Sequence, residues 1–229
     1  MKEKSVFHVN GYLGLIATLV LLGLGGYLLW IGSQNGSMGA IIIGAIIIIL
    51  ALLFASSLTI IQPNEAKVLT FFGRYIGTIR NSGLYMTVPL TNKQTISLRV
   101  RNFNSSIIKV NDSKGNPVEI AAVIVYKVVD SAKAIFSVED YEQFVEIQSE
   151  SAIRHIASQY PYDSFDDSTD KLTLRGNATE VSQALQTELQ ERLDVAGLQI
   201  IETRLTHLAY ATEIANAMLQ RQHATAILS

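Results

Sequence analysis

The chain has 229 residues, 48% of them hydrophobic, no cysteine, and a formal net charge of −2. Without cysteine it has no disulfide, no zinc–thiolate site and no cysteine nucleophile. From Thr59 onward its 16 Lys+Arg and 19 Asp+Glu balance without a basic stripe, which argues against nucleic acid as a partner.

The apolar content is concentrated at one end, because the sixty residues from Ser5 to Asn64 contain no Asp, Glu, Lys or Arg. The run divides at Ser33-Gln34-Asn35-Gly36-Ser37 into two apolar segments, Tyr12–Gly32 and Met38–Leu58. Each is about 20 residues long, and a helix rising about 1.5 Å per residue then crosses the ~30 Å hydrocarbon layer of a bilayer. The first segment is longer than the core of a signal peptide and the second follows at once, so both are predicted to remain as membrane spans. Lys2 and Lys4 precede the first span, Lys67 and Arg74 follow the second, and the connector is uncharged; the positive-inside rule then puts both termini on the cytoplasmic side, as in a two-span protein of a prokaryotic plasma membrane. A hairpin that dips into one leaflet and returns is the alternative. Gly23, Gly25, Gly26, Gly39 and Gly44 could let the helices approach closely, but glycine is common enough in membrane helices to need no such role. Neither span holds an ionisable residue, so the hairpin reads as an anchor rather than a transport path.

Beyond the hairpin, Ala66–Gly73, Gly83–Leu90, Gln94–Arg101 and Ser106–Val110 are predicted strands, the second and third with alternating faces. Asn111–Pro117 is dense in turn residues. Val118–Val128 is apolar on both faces near its middle, the mark of a central strand. The period then becomes helical: a short helix over Ser131–Phe136, a longer one from Asp140 to Gln159 stopped by Pro161, and a third carrying Val181, Leu185, Leu189 and Leu193, with Gly197 as its C-terminal cap. Leu198–Leu208 returns to strand, and a helix is predicted from Tyr210 to Ser229 with no stop signal, as though cut. The order predicts an α+β fold: tail 1–11, transmembrane hairpin 12–58, a domain over 59–209 with helices packed on an antiparallel or mixed sheet, and the start of a C-terminal helix over 210–229.

Several of these stretches together resemble a known family. Ile61-Gln62-Pro63-Asn64-Glu65-Ala66-Lys67-Val68, Phe72-Gly73-Arg74, and Gly83-Leu84-Tyr85-Met86 with Pro89 resemble the opening of the SPFH or Band 7 domain of stomatin, prohibitin, flotillin and HflK/HflC. Val123–Asp130 is similar to that family's central Tyr-Lys/Arg-Val-x-Asp strand, and Gly197-Leu198-Gln199-Ile200 and Glu213–Gln222 to its last strand and helix. The positions that carry the motif are Pro63, Glu65, Gly73, Gly83, Pro89, Tyr126, Asp130, Arg154, Gly197 and Met218, all read as structural. The resemblance implies a non-enzymatic scaffold on a membrane, with lipids and further copies of itself or of a paralogue as partners. It equally implies an alternative, a regulatory subunit of a membrane AAA+ protease. Most family members continue from the last helix into a long coiled coil, so this chain is expected to associate through its hairpin and domain faces without closing a stable ring.

No reaction chemistry is legible. His8, His155, His207 and His223 lack metal-ligand spacing, and no nucleophile elbow or phosphate loop is present, so no cofactor, metal or catalytic residue is expected. Asp166, Asp167 and Asp170 read as a solvated acidic loop rather than a cation site. Glu150 and Arg154 stand at i, i+4 and are expected to pair on a helix surface.

Overall fold

The stretch ahead of the first apolar helix is part of a sheet rather than a loose tail. In the computed structural model, which describes residues 3–163, 172–215 and 217, Val9–Asn10 forms strand β1 and leads without a spacer into helix α1, Gly11–Asn35. Asp166, Asp167, Asp170, Met218 and most of the predicted last helix lie outside the described residues. Helix α2 covers Met38–Ser57 and passes directly into strand β2, Leu58–Ile61. Both helices are long and apolar enough to cross a membrane. Only Gly36 and Ser37 separate them. Ser33, Gln34 and Asn35, expected in the connector, continue α1 until Gly36 ends it in the left-handed region at φ 65°, donating its N–H to the Gly32 carbonyl.

Two of the five hairpin glycines that drew notice in the sequence serve the helix crossing. A Cβ on Gly25 would lie 2.7 Å from Ile48 Cγ1 and one on Gly44 would lie 3.0 Å from the Gly25 carbonyl, whereas Gly23, Gly26 and Gly39 face open space. Without a hydrophobic drive between helices in lipid, such backbone-to-backbone approach is what lets dispersion hold them together. The expectation that composition alone explained all five is therefore corrected for Gly25 and Gly44.

The chain divides into two compact units, Met1–Leu98 and Arg99–Ser229. In the first, β3 (Glu65–Phe71), β4 (Arg74–Ile79), β5 (Gly83–Met86) and β6 (Asn92–Ser97) join β1 and β2 in two small sheets, ordered β1-β5-β2 and β4-β3-β6. Val6, Ile61, Leu69 and Ile79 form the core of this unit, with Ile76 and Tyr85 against it. The predicted strands at Gly83–Leu90 and Gln94–Arg101 are shorter than expected. Residues 87–91 instead turn back along the end of α2, and the second strand starts earlier, at Asn92, and stops at Ser97.

In the second unit β9 (Pro117–Val128) is central: β10 (Leu198–Tyr210) pairs along one edge, and β7 (Arg101–Asn104) and β8 (Ile108–Asn111) lie end to end on the other. Helices α3 (Ser131–Phe136), α4 (Tyr141–Gln159) and α5 (Ala178–Leu193) follow the predicted order. Asp130 caps α3 by accepting from the Lys133 N–H, and Asp140 caps α4 by accepting from Glu142 and Gln143. Val145, Ile153, Val181, Leu185 and Leu189 are buried, as the 3.6-residue period requires. Gly197 closes a 3-10 turn, Asp194–Ala196, that follows α5, rather than capping α5 itself. The anticipated Glu150–Arg154 pair does not form: Glu150 accepts from the Ser106 hydroxyl at 2.9 Å, and Arg154 is exposed with no ion pair among the described residues.

Two substitutions test this architecture. Ile124 is fully buried at the centre of β9, so Ile124→Asp should abolish cooperative unfolding of the second unit, since an unpaired buried charge costs several kcal/mol; a protein that still melts cooperatively at the wild-type temperature would refute the placement. Gly197 sits at φ 67°, and a Cβ there would lie 2.5 Å from the Asp130 carbonyl oxygen. Gly197→Ala should therefore destabilise by about 2 kcal/mol or more, from backbone strain plus the clash, read as a shifted chemical-denaturation midpoint.

Candidate functional site: the base of the hairpin

A helix ends with carbonyls that lack intrahelical donors, and leaving them dry beside an apolar phase is costly. At the end of α2 the chain supplies those donors from the β5–β6 connection. The Ser57 carbonyl accepts from the Thr87 N–H at 2.9 Å and from the Thr87 hydroxyl at 3.0 Å. Lys93 Nζ donates to the Ser56 carbonyl at 2.9 Å and the Leu58 carbonyl at 3.0 Å. Burial holds the Lys93 ammonium below the ordinary lysine range, and Lys67 on the neighbouring strand lowers it further. A cation at a helix C-terminus also complements the helix dipole.

Strand β5 joins the two ends of the hairpin. Met86 pairs with Val9 on one side and with Leu58 on the other, and Tyr85 with Asn10 and Thr59. The fit at α1 is close: a Cβ on Gly11 would meet Leu84 at 2.5 Å and one on Gly14 would meet the Met86 sulfur at 2.7 Å.

The same end of the first unit presents apolar side chains. Leu69 of β3 pairs with Lys93, which reaches the base of α2, so the β3–β4 tip that follows, Phe71-Phe72-Gly73, lies toward that end. Phe72 is 83% exposed and held at φ 45°; Leu90, in the connection that collars α2, is 57% exposed at φ 60°. Two large exposed apolar residues in a backbone region that disfavours them mark a surface shaped for something other than water.

The residues singled out in the sequence scatter around the molecule. In the first unit Pro63 lies in the β2–β3 turn, Glu65 opens β3 opposite Ser97, Gly73 forms the β3–β4 tip at φ 80°, Gly83 opens β5, and Pro89 is exposed in the collar. In the second unit Tyr126 is buried on β9, where burial raises its pKa, and its register partner Arg101 pairs with Glu142 and lies 5.6 Å over the Tyr141 ring. Asp130 and Gly197 are the pair brought into contact: the N–H groups of Val129 and Asp130 both donate to the Gly197 carbonyl at 2.9 Å. Met218 is not among the described residues. Among those described, no cluster of three metal-ligating side chains occurs. Thr87 and Lys93 carried no signal in the sequence, since their partners lie thirty or more positions away on the end of a span.

Lys93→Met should destabilise the first unit by about 1–2 kcal/mol, because it removes the charged donor from two carbonyls. Detergent-solubilised protein should melt at a lower temperature than wild type; an unchanged melting curve would show that water caps α2 equally well.

The sequence model of the SPFH domain / Band 7 family matches residues 59–228. A stomatin homologue of Pyrococcus horikoshii is 25% identical over 182 residues, covering 79% of this chain and 65% of its own length. A stomatin homologue of Pyrococcus abyssi is 25% identical over 181 residues, covering 78% of this chain and 64% of its own. An uncharacterized protein of Archaeoglobus fulgidus is 25% identical over 180 residues, covering 78% and 68%. The chain thus spans somewhat less than two thirds of the length of the stomatin homologues it matches. The family match takes in β3 to β10 and the three helices between them, nearly everything that follows the apolar hairpin, and on that extent the chain belongs to the SPFH domain / Band 7 family.

Proposed function

We propose that this protein is a non-enzymatic, membrane-anchored scaffold whose copies associate with one another, or with a paralogue, and organise lipids and proteins around them. The observation that carries the reading is the union of an apolar hairpin with the SPFH domain through β5 and the collar, which makes the anchor and the domain's first unit a single body. The exposed Phe72 and Leu90, at the hairpin's base, favour contact with the same lipid surface. Tyr12 and Trp30, both exposed on α1, stand about 27 Å apart at 1.5 Å per residue, the separation that would seat one at each membrane interface. Names borne by two relatives, stomatin homologues, support the same class. The domain boundaries anticipated above, 12–58 for the anchor and 59–209 for the domain, and the structural character of the ten motif positions belong to this proposal.

Both termini lie on the cytoplasmic side in this reading. Protease added to intact cells should leave the SPFH domain whole and digest it once the cells are opened; cleavage from outside would overturn the orientation. Mass photometry of gently solubilised protein should find assemblies of several copies, and a monomer at all concentrations would overturn the scaffold. Recovery of a stoichiometric AAA+ protease with it would favour the alternative, a protease-restraining subunit.

A further inference from the structure

We propose that the segment Glu3–Asn10 is a strap that reports bilayer thickness to the domain, holding when the hairpin matches the membrane and releasing when it does not. The inference rests on the reading of α1 and α2 as membrane spans.

The strap is attached along its length by single contacts rather than a continuous ladder, among them the Lys4 N–H on the Tyr75 hydroxyl at 3.2 Å and the His8 ring edge-on to Tyr85, 4.8 Å between centroids. Glu3 pairs with Arg80 at 2.8 Å, the Lys4 carbonyl accepts from the Thr78 N–H at 2.8 Å, and Ser5 bridges Thr78 in parallel register. Val6, 7% exposed, inserts into the core formed by Ile61, Leu69 and Ile79. Gly77 makes room for it, since a Cβ there would lie 2.7 Å from the Val6 nitrogen. β1 then adds two register pairs to β5 before α1 begins.

Neither helix has slack where it meets the sheet. Asn10 is the last residue of β1 and caps α1, accepting from the Tyr12 N–H at 3.0 Å, and Ser57 is followed at once by β2. A span that is too short or too long for its bilayer tilts or is drawn along the membrane normal. With no linker to absorb it, the displacement is passed to both flanking strands. They resist unequally. β2 holds β5 through four register pairs and is backed by Thr87 and Lys93, whereas β1 holds through two. The strap therefore yields first. Its release uncovers the apolar seam around Ile61 and Leu69 and one edge of β5, a change that neighbouring copies could read.

The absence of cysteine makes the test direct. The full-length double variant Ser5→Cys, Thr78→Cys places two thiols at bridge partners, a spacing a disulfide can span, and is reconstituted in dioleoylphosphatidylcholine or in thicker dierucoylphosphatidylcholine vesicles. Mild oxidation should close the intrachain bond readily in the first and several-fold less in the second. The companion pair Leu58→Cys, Met86→Cys, across β2 and β5, should close equally in both. Equal closure of the strap pair in the two bilayers, or closure in neither, overturns the proposal. Trp30, the single tryptophan, separates this failure from that of the underlying reading. If brominated lipid quenches Trp30 and the strap is indifferent to thickness, the sensor alone is wrong. If Trp30 is not quenched, the hairpin is not in the membrane and both readings fall.

Discussion

Everything in the first unit depends on how the peptide groups at the end of α2 find donors. A helix leaving an apolar phase must have its last carbonyls answered at the boundary itself. Here the answer comes from Thr87 and Lys93, residues of the chain that must also turn from β5 into β6. The turn is therefore wrapped around the helix end, β5 is delivered alongside β2, and the other edge of β5 is left for the residues ahead of α1. The short β5 and the abrupt end of α2 at Ser57 both serve one hydrogen-bonding need.

The second unit solves a different problem. Its central strand is buried at alternating positions, Ile120, Ile124 and Tyr126 among them, with α4 packed against it and α5 against the neighbouring β10. The turn before it is fixed by Asp112, whose Oδ1 accepts from the Lys114 and Asn116 N–H groups and whose Oδ2 accepts from the Tyr162 N–H at 3.0 Å. One buried carboxylate thus ties the β8–β9 turn to the chain leaving α4, and charge-assisted bonds of this kind are stronger than neutral ones. Helices α4 and α5 are joined at their surface by the His155 ring on Glu188 at 2.9 Å and by Arg192, which donates to the Ser151 hydroxyl at 3.0 Å.

Periodicity made the second unit largely legible: β9, the three helices and β10 fall where alternation and the 3.6-residue repeat put them, because each buries a continuous face. The first unit was less so. β2 was hidden at the end of an apolar span that it continues without a break in composition. β4 has Gly77 in its middle, which weakens a strand pattern and in fact lets Val6 approach. Residues 3–10 carry no local strand signal, since two residues paired at long range have no period to read. The motif positions could be found by resemblance, but the contact between Asp130 and Gly197 could not, because the need for a missing Cβ is a fact of packing. In place of the expected Glu150–Arg154 pair, Glu150 accepts from the hydroxyl of Ser106, a partner far off in sequence.

The family match begins at residue 59, whereas the sheet that the match describes begins before the hairpin, at Val9. The stretch recognised by sequence is thus not a separable module in this protein: the apolar hairpin is inserted between the first strand and the second. A recombinant fragment cut at the family boundary would discard Val6 and β1, leaving Ile61, Leu69 and Ile79 under a missing lid and β5 with an unpaired edge, the combination that favours strand-to-strand aggregation. Biochemical work on a soluble form is better served by keeping residues 3–10 and replacing 11–57 with a short polar loop.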